Sequence, residues 1–421
     1  MNKVKSSALY FVLIISLLLF VLLSLFIVYN KLQKQLVKQY EIQKRLFDNI
    51  YNAQLLYAND VYIRNSVVDS FCMDLFDEQK DSVCLYSTRW GFWNLLRIKA
   101  SYGQFKELRS FFYANSFSLT DTMQAALYLC DKQNMLILAG NTLLSGDCYL
   151  PQAGVKPGIL EGKPYDKKEM LYGKQLNSMP HLPKIDSTTL RKILSLMDTN
   201  YLRSHCVLAG RDLNEKGVYS HSFLQPTQLF YLSGKQNIYN KTISGNIIIY
   251  ANEEINIDKS VRLNNVIIIA PIIRLKKGFT GSLQLFSTDS LIVEEGVKLS
   301  YPSVLYNYQS EEHDGKVMIK QGAEINGAII AMDKSYDDKN AKVEIQKNVT
   351  IRGMLWVEGY LQFNASMIGH VFTHKFIWNT TASLYENHLL DANINATTLQ
   401  KQYLYPTLFP SLKLQLLKVV E

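Results

Sequence analysis

Two short stretches hold the densest clustering of groups able to do chemistry. From Gln309 to Gly315 the chain carries Glu311, Glu312, His313 and Asp314, and from Asp333 to Asn340 it carries Asp333, Asp337 and Asp338. Clusters of oxygen ligands like these suit a hard cation such as calcium, or a basic partner surface. The competing reading is two solvated loops kept soluble by their charge. His370 and His374 stand four apart, which on a helix would put both on one face for zinc. The glutamate of an H-E-x-x-H motif is absent, however, and the segment reads as a strand. Residues four apart on a strand are separated by about 13 Å, so these are structural histidines.

Catalytic motifs are missing. Neither G-x-S-x-G nor S-x-x-K occurs in a suitable context. Arg262, Arg274 and Arg352 occupy unlike places in the repeats described below, without the shared carboxylate face that a carbohydrate-active site needs. The expectation is no catalytic residue and no cofactor. The five cysteines are Cys72, Cys84, Cys130, Cys148 and Cys206, with no C-x-x-C pair. In an exported chain Cys72–Cys84 and Cys130–Cys148 are the nearest candidate disulfides; free buried thiols are the alternative. Trp90 and Trp93 read either as core or as a docking surface.

The elements that must position these groups follow from a repeat. From Ile243 onward, short β-branched runs return at a nearly fixed interval: NIIIYA from Asn246, NVIIIAP from Asn265, SLQLFS from Ser282, SVLYN from Ser303, GAIIAM from Gly327, GMLWVE from Gly353 and GHVFT from Gly369. A second ladder lies between them, including Ile255-Asn256-Ile257 and Ile273-Arg274-Leu275, and a weaker third ladder includes Val261/Leu263 and Val297/Leu299. Three short strands per turn of the repeat predict a right-handed-type parallel β-helix over 226–380. Turns stacked about 4.8 Å apart would set the two acidic loops side by side. The stretch 136–150 resembles one more coil, a candidate for the first.

Ahead of the repeat, Ala8 to Tyr29 is an uncharged, mostly aliphatic run long enough to cross a bilayer of roughly 30 Å as a helix. No small residue follows it for a signal peptidase to cut after. Residues 1–29 are therefore an anchor meeting membrane lipid through 8–29, and helical periodicity over 30–65 predicts a stalk. Lysines flank the span on both sides, Lys3 and Lys5 before it and Lys31, Lys34, Lys38 and Lys44 after it. We expect a signal anchor, with the bulk of the chain outside the inner (plasma) membrane. Residues 66–150 read as a small α/β region, 151–225 as a Pro-rich connector with one helix over 187–197, and 381–421 as a docked tail. The net charge of +8 is spread along the chain, with no basic, aromatic-interleaved patch for nucleic acid.

Ser7-Ala8-Leu9, followed by the apolar helix and stalk, resembles the N-termini of minor type IV pilins and type II secretion pseudopilins. That likeness makes Ser7–Ala8 the bond at which processing would fall. It would place Val12 where major pilins carry a glutamate, a departure the large tip pseudopilin shares. The repeats from Ile243 to Thr373 are similar to those of bactofilins, polymer-forming β-helix proteins. GNTLLSGDCYLPQAGVKPG and GFTGSLQLFSTDSLIVEEGVKLSYPS resemble a family of single-pass membrane proteins of Bacteroidota, which brings no known activity. The combination of uncleaved anchor, continuous stalk and β-helix without a catalytic constellation points to a non-enzymatic structural or assembly protein of a pilus-like or secretion-like envelope complex, with protein partners. Alternatives are an anchored β-helix that binds or processes envelope polysaccharide, and a cytoplasmic bactofilin-like scaffold.

Overall fold

The computed structural model describes residues 6–66, 70–77, 80–117, 122–210, 213, 217–309, 315–334, 340–380, 383–400, 402–409 and 413–421. Half of the chain is strand and 19% helix, so the protein is mainly β. It divides into two compact units, one formed by 1–86 with 97–109 and the other by 87–96 with 110–421.

The first unit begins with α1 (Ser6–Asn59), an unbroken helix of 54 residues and about 80 Å at 1.5 Å per residue. Leu, Ile, Val and Phe dominate its first half, with no Gly or Pro to interrupt it. That half is exposed, and the helix is long and apolar enough to cross a membrane. Farther along, Ile42, Leu46, Ile50, Ala53 and Tyr57 are buried at three- and four-residue steps, the signature of one packed helical face. Asp60 then caps α2 (Val61–Ser66), accepting the backbone N–H of Tyr62 at 2.8 Å.

Asp81, buried in this unit, accepts from Arg45 Nε at 2.7 Å and Asn49 Nδ2 at 2.8 Å. Burial alone would raise its pKa, but these hydrogen bonds and the Arg45 charge outweigh that and hold the carboxyl below its ordinary value. Cys72 in β1 (Phe71–Met73) lies opposite Cys84 in β2 (Asp81–Trp90), and the two are joined as a disulfide. β3 (Trp93–Tyr102) and β4 (Phe105–Ser116) follow in the same sheet, ordered β1-β2-β3-β4. From Phe71 to Leu150 the described residues form strands and one 3-10 turn, Thr122–Gln124, with no α-helix. The α/β expectation for this region is thereby corrected: its long runs alternate buried and exposed residues, a two-residue period that fits strands.

The second unit is built on long strands paired in parallel with strands later in the chain. They are Lys241–Ala251, Arg262–Leu275, Thr280–Val293, Lys298–Gln309, Glu324–Asp333, Thr350–Phe363 and Ser366–Asn379. One register row runs through Ile249, Ile268, Leu285, Leu305, Ile329, Leu355 and Val371. Every member is buried in a single aliphatic core. The adjacent row, Tyr250, Ile269, Phe286, Tyr306, Ile330, Trp356 and Phe372, points the other way into a second, aromatic-rich core. Successive side chains on a strand face opposite sides, so strands with a core on each side read as continuous apolar runs.

The second core is closed by elements far apart in sequence. Trp90, Phe92, Trp93 and Leu95, Phe112 and Ala114, the tail residues Leu404 to Phe409, and two helices all contribute. The first of these helices is α3 (Ser187–Ser195), capped by Asp186. The second is α4 (Thr199–His205), capped by Asp198, so among the described residues the stretch 151–225 holds two helices where its sequence predicts one. Beyond Ser366–Asn379 the pairing continues with pieces from elsewhere. Leu127–Leu129 pairs with it, as does Asn393–Asn395, which in turn pairs with Leu143–Ser145. The hydrogen-bonded order of this sheet closes on itself.

Gly327, Gly353 and Gly369 share one register row, all with positive φ. A Cβ on Gly353 would run into the Gly327 carbonyl and the Tyr403 hydroxyl, whereas one on Gly278, also at positive φ, meets nothing within 4 Å. Gly353→Ala is therefore expected to cost more than about 2 kcal/mol, against about 1 kcal/mol of conformational strain for Gly278→Ala. Urea denaturation of both variants measures this; equal losses would show that the close approach of neighbouring strands is not the constraint.

Candidate functional site

The carboxylates singled out by sequence are only partly placed. Asp333 ends the strand Glu324–Asp333, is buried, and accepts the Asn340 N–H at 2.7 Å. Glu311, Glu312, Asp314, Asp337 and Asp338 lie outside the described residues. Among the described residues no three His, Cys, Asp or Glu side chains converge as a metal site would require. Ser7 and Ala8 fall in the first turn of α1.

Of the two readings of Cys130 and Cys148, candidate disulfide or free buried thiols, the structure has the second. Register sets Cys148 beside Leu127, three residues from Cys130 and so about 10 Å along the strand, beyond disulfide reach. The two thiols also serve different cores, Cys148 the aliphatic one and Cys130 the aromatic one. Burial pushes each thiol up to about 12 and the free Cys206 to about 11, so none is a thiolate nucleophile at neutral pH. Trp90 and Trp93 are core residues, 3% exposed.

His370 occupies an otherwise apolar register row, Ile267, Gln284, Val304, Ala328, Met354 and His370, that is polar at only one other position. Both polar members are buried and hydrogen-bonded. Gln284 accepts the Phe92 N–H at 2.8 Å and donates to Trp90 O at 3.1 Å, holding the turn through Gly91. His370 Nδ1 lies 2.8 Å from Ala125 O and Nε2 lies 2.7 Å from the Tyr405 hydroxyl. Each polar side chain thus joins the parallel strands to a covering segment.

On the outer surface, rows of ion pairs cross neighbouring strands. Lys235 meets Glu254 at 2.6 Å, Arg274 meets Glu254 at 3.7 Å, Lys276 meets Glu294 at 3.3 Å and Lys316 meets Glu344 at 3.3 Å. A different surface is concave, and no carboxylate lines it among the described residues. Two polar register rows, Thr242–Arg262–Thr280 and Ser244–Asn264–Ser282, form its floor. Ser300, Tyr301 and Lys418 complete a cleft of about 590 Å³. Arg262 Nη1 donates to Lys259 O at 3.1 Å and to Thr280 Oγ1 at 3.4 Å. Lys418 Nζ donates to Asn265 Oδ1 at 3.4 Å, and burial lowers its pKa. The Tyr301 hydroxyl is turned to Leu404 O at 3.0 Å. The sequence signal for this cleft, a T-x-S, R-x-N, T-x-S alternation, lay hidden within the weakest of the three ladders.

No protein-family model matches this chain, and no curated protein matches it in sequence. Among solved structures, the crystal structure of the competence-associated pilin ComZ from Thermus thermophilus aligns with 90% of this chain and 95% of its own. Identity is 12% and the TM-score 0.22, too low to show a shared fold.

Burial lowers the His370 pKa from 6.5 to about 4, against the opposing pull of the Ala125 carbonyl. The unfolded chain therefore takes up a proton near pH 6.5 that the folded chain refuses until about pH 4. The stabilising contribution is intact above pH 6.5 and is lost as pH falls toward 4, by about 3 kcal/mol in all. Denaturation midpoints recorded between pH 7 and pH 4 should fall less steeply for His370→Gln than for the parent. Identical pH dependences would exclude His370 as the titrating group.

Proposed function

We propose that this protein is a membrane-anchored, non-enzymatic structural or assembly component of the cell envelope, of the pilus-like or secretion-like kind. The observation that carries the reading is α1. One unbroken helix is both the apolar, exposed segment fit to cross a bilayer and the buried face around which the first unit folds. A rigid connection of this kind transmits the position of the anchor directly to the folded part. Ion-paired Arg45 and Asp81 reinforce it.

We further infer that the parallel strands of the second unit wind as a β-helix. The uninterrupted row from Ile249 to Val371 supports this, because each member follows the last by one turn of the chain. The Cys72–Cys84 disulfide favours an oxidising compartment and hence export over a cytoplasmic scaffold.

Export is read by fusing alkaline phosphatase after Glu421; activity is expected, and an inactive but stable fusion would overturn the orientation. In the membrane, crosslinking should capture other envelope components; recovery of the protein alone would count against an assembly role. The winding is read by paired cysteines. Asn256→Cys with Arg274→Cys, which are register partners, should crosslink on oxidation. Asn256→Cys with Ile292→Cys, one strand farther, should not, and efficient crosslinking of the second pair would refute the proposed stacking.

A further inference from the structure

The outer surface of the parallel strands treats its cations in two ways. Lys235, Arg274, Lys276 and Lys316 each face a carboxylate on, or just past the end of, a neighbouring strand. In the cleft floored by Thr242, Asn264 and Thr280, Arg262 and Lys418 instead meet only carbonyl, amide and hydroxyl oxygens among the described residues. Among the described residues no carboxylate faces either cation, and Lys418 is half-buried. A cation drawn partly out of water without a counter-charge is costly; an arriving anion would remove that cost.

The rest of the lining narrows the class of that anion. Ser244, Asn264, Thr280 and Ser282 stand in two rows about 4.8 Å apart from strand to strand. Each side chain can both donate and accept, which suits a ligand whose own groups are hydroxyls. Duplex nucleic acid fits poorly, since its binding draws on about six to ten phosphate contacts and bases call for stacking aromatics. The cleft supplies two cations and one tyrosine, whose hydroxyl is already engaged.

We propose that this cleft binds an acidic glycan, a sugar chain bearing a carboxylate or phosphate group. Its anion is held by Arg262 and Lys418, and its hydroxyls meet the Ser, Thr and Asn rows. Binding of an envelope glycan rests on the exported orientation proposed above. The binding assay on purified protein reads the cleft alone and the phosphatase fusion reads the orientation alone, so the two fail separately.

The test uses full-length protein in detergent micelles and isothermal titration with three probes: oligogalacturonate, a malto-oligosaccharide of equal length, and polyglutamate. Oligogalacturonate is expected to bind, the neutral sugar about tenfold more weakly or worse. Arg262→Gln with Lys418→Gln should weaken oligogalacturonate about tenfold or more, the scale of losing charge-assisted hydrogen bonds, at an unchanged melting temperature. If the double variant melts early, Lys418→Gln alone is judged by the same criteria. The proposal is overturned by no heat from oligogalacturonate at millimolar concentration, or by unchanged affinity in the variant. Equal, equally variant-sensitive binding of polyglutamate would also overturn it, since the cleft would then read charge without sugar.

Discussion

Burial of both faces of the long parallel strands is the constraint on which the second unit depends. Because successive residues point to opposite sides, Ile249 and its register partners must build one core while Tyr250 and its partners build another. Each fully buried aliphatic side chain contributes about 1.5–3 kcal/mol relative to exposure, so neither row can be left to water. The aliphatic row is satisfied largely by the strands themselves, whose side chains share one core. The aromatic row is not, and the turn through Trp90 and Phe92, α3, α4 and the tail from Leu404 to Phe409 are recruited to cover it.

Apolar contact brings those covering segments to the strands but does not fix where they sit. Gln284 and His370 do that. Both replace an apolar residue in a register row, and both place their polar atoms against a specific partner on a covering segment. A buried amide or imidazole without such a partner would cost about 1–3 kcal/mol, so sliding a cover by one residue is penalised twice, in packing and in lost hydrogen bonds. The same economy explains why the cysteines are quiet. Cys130 and Cys148 fill space in separate cores, and burial keeps them as thiols.

The outer surface divides its labour. Where strands carry opposite charges in neighbouring positions, the pairs neutralise each other and reinforce the register; at exposed positions each pair adds little on its own. Where the strands carry Thr, Ser and Asn, the surface is concave, and among the described residues Arg262 and Lys418 meet only neutral oxygens there. Periodicity makes both possible, since one residue type repeated at one position of the repeat becomes a row.

What the sequence alone determined is whatever depends on local periodicity. The apolar run from Ala8 to Tyr29 and the three- to four-residue steps from Ile42 to Tyr57 specify α1, because a helix displays its pattern within a few residues. The recurring β-branched runs likewise specify parallel rows. Tertiary structure decided everything that needs residues far apart in the chain. Leu127–Leu129 pairs with Val371–Thr373, Gln284 reaches Phe92, and Lys418 stands beside the row of Arg262. Nothing local distinguishes Gln284 from a surface glutamine, or shows which partners His370 meets. Only the arrival of a distant segment made one a clasp and the other a buried, neutral imidazole, because desolvation and hydrogen-bond satisfaction are properties of the assembled neighbourhood rather than of the residue.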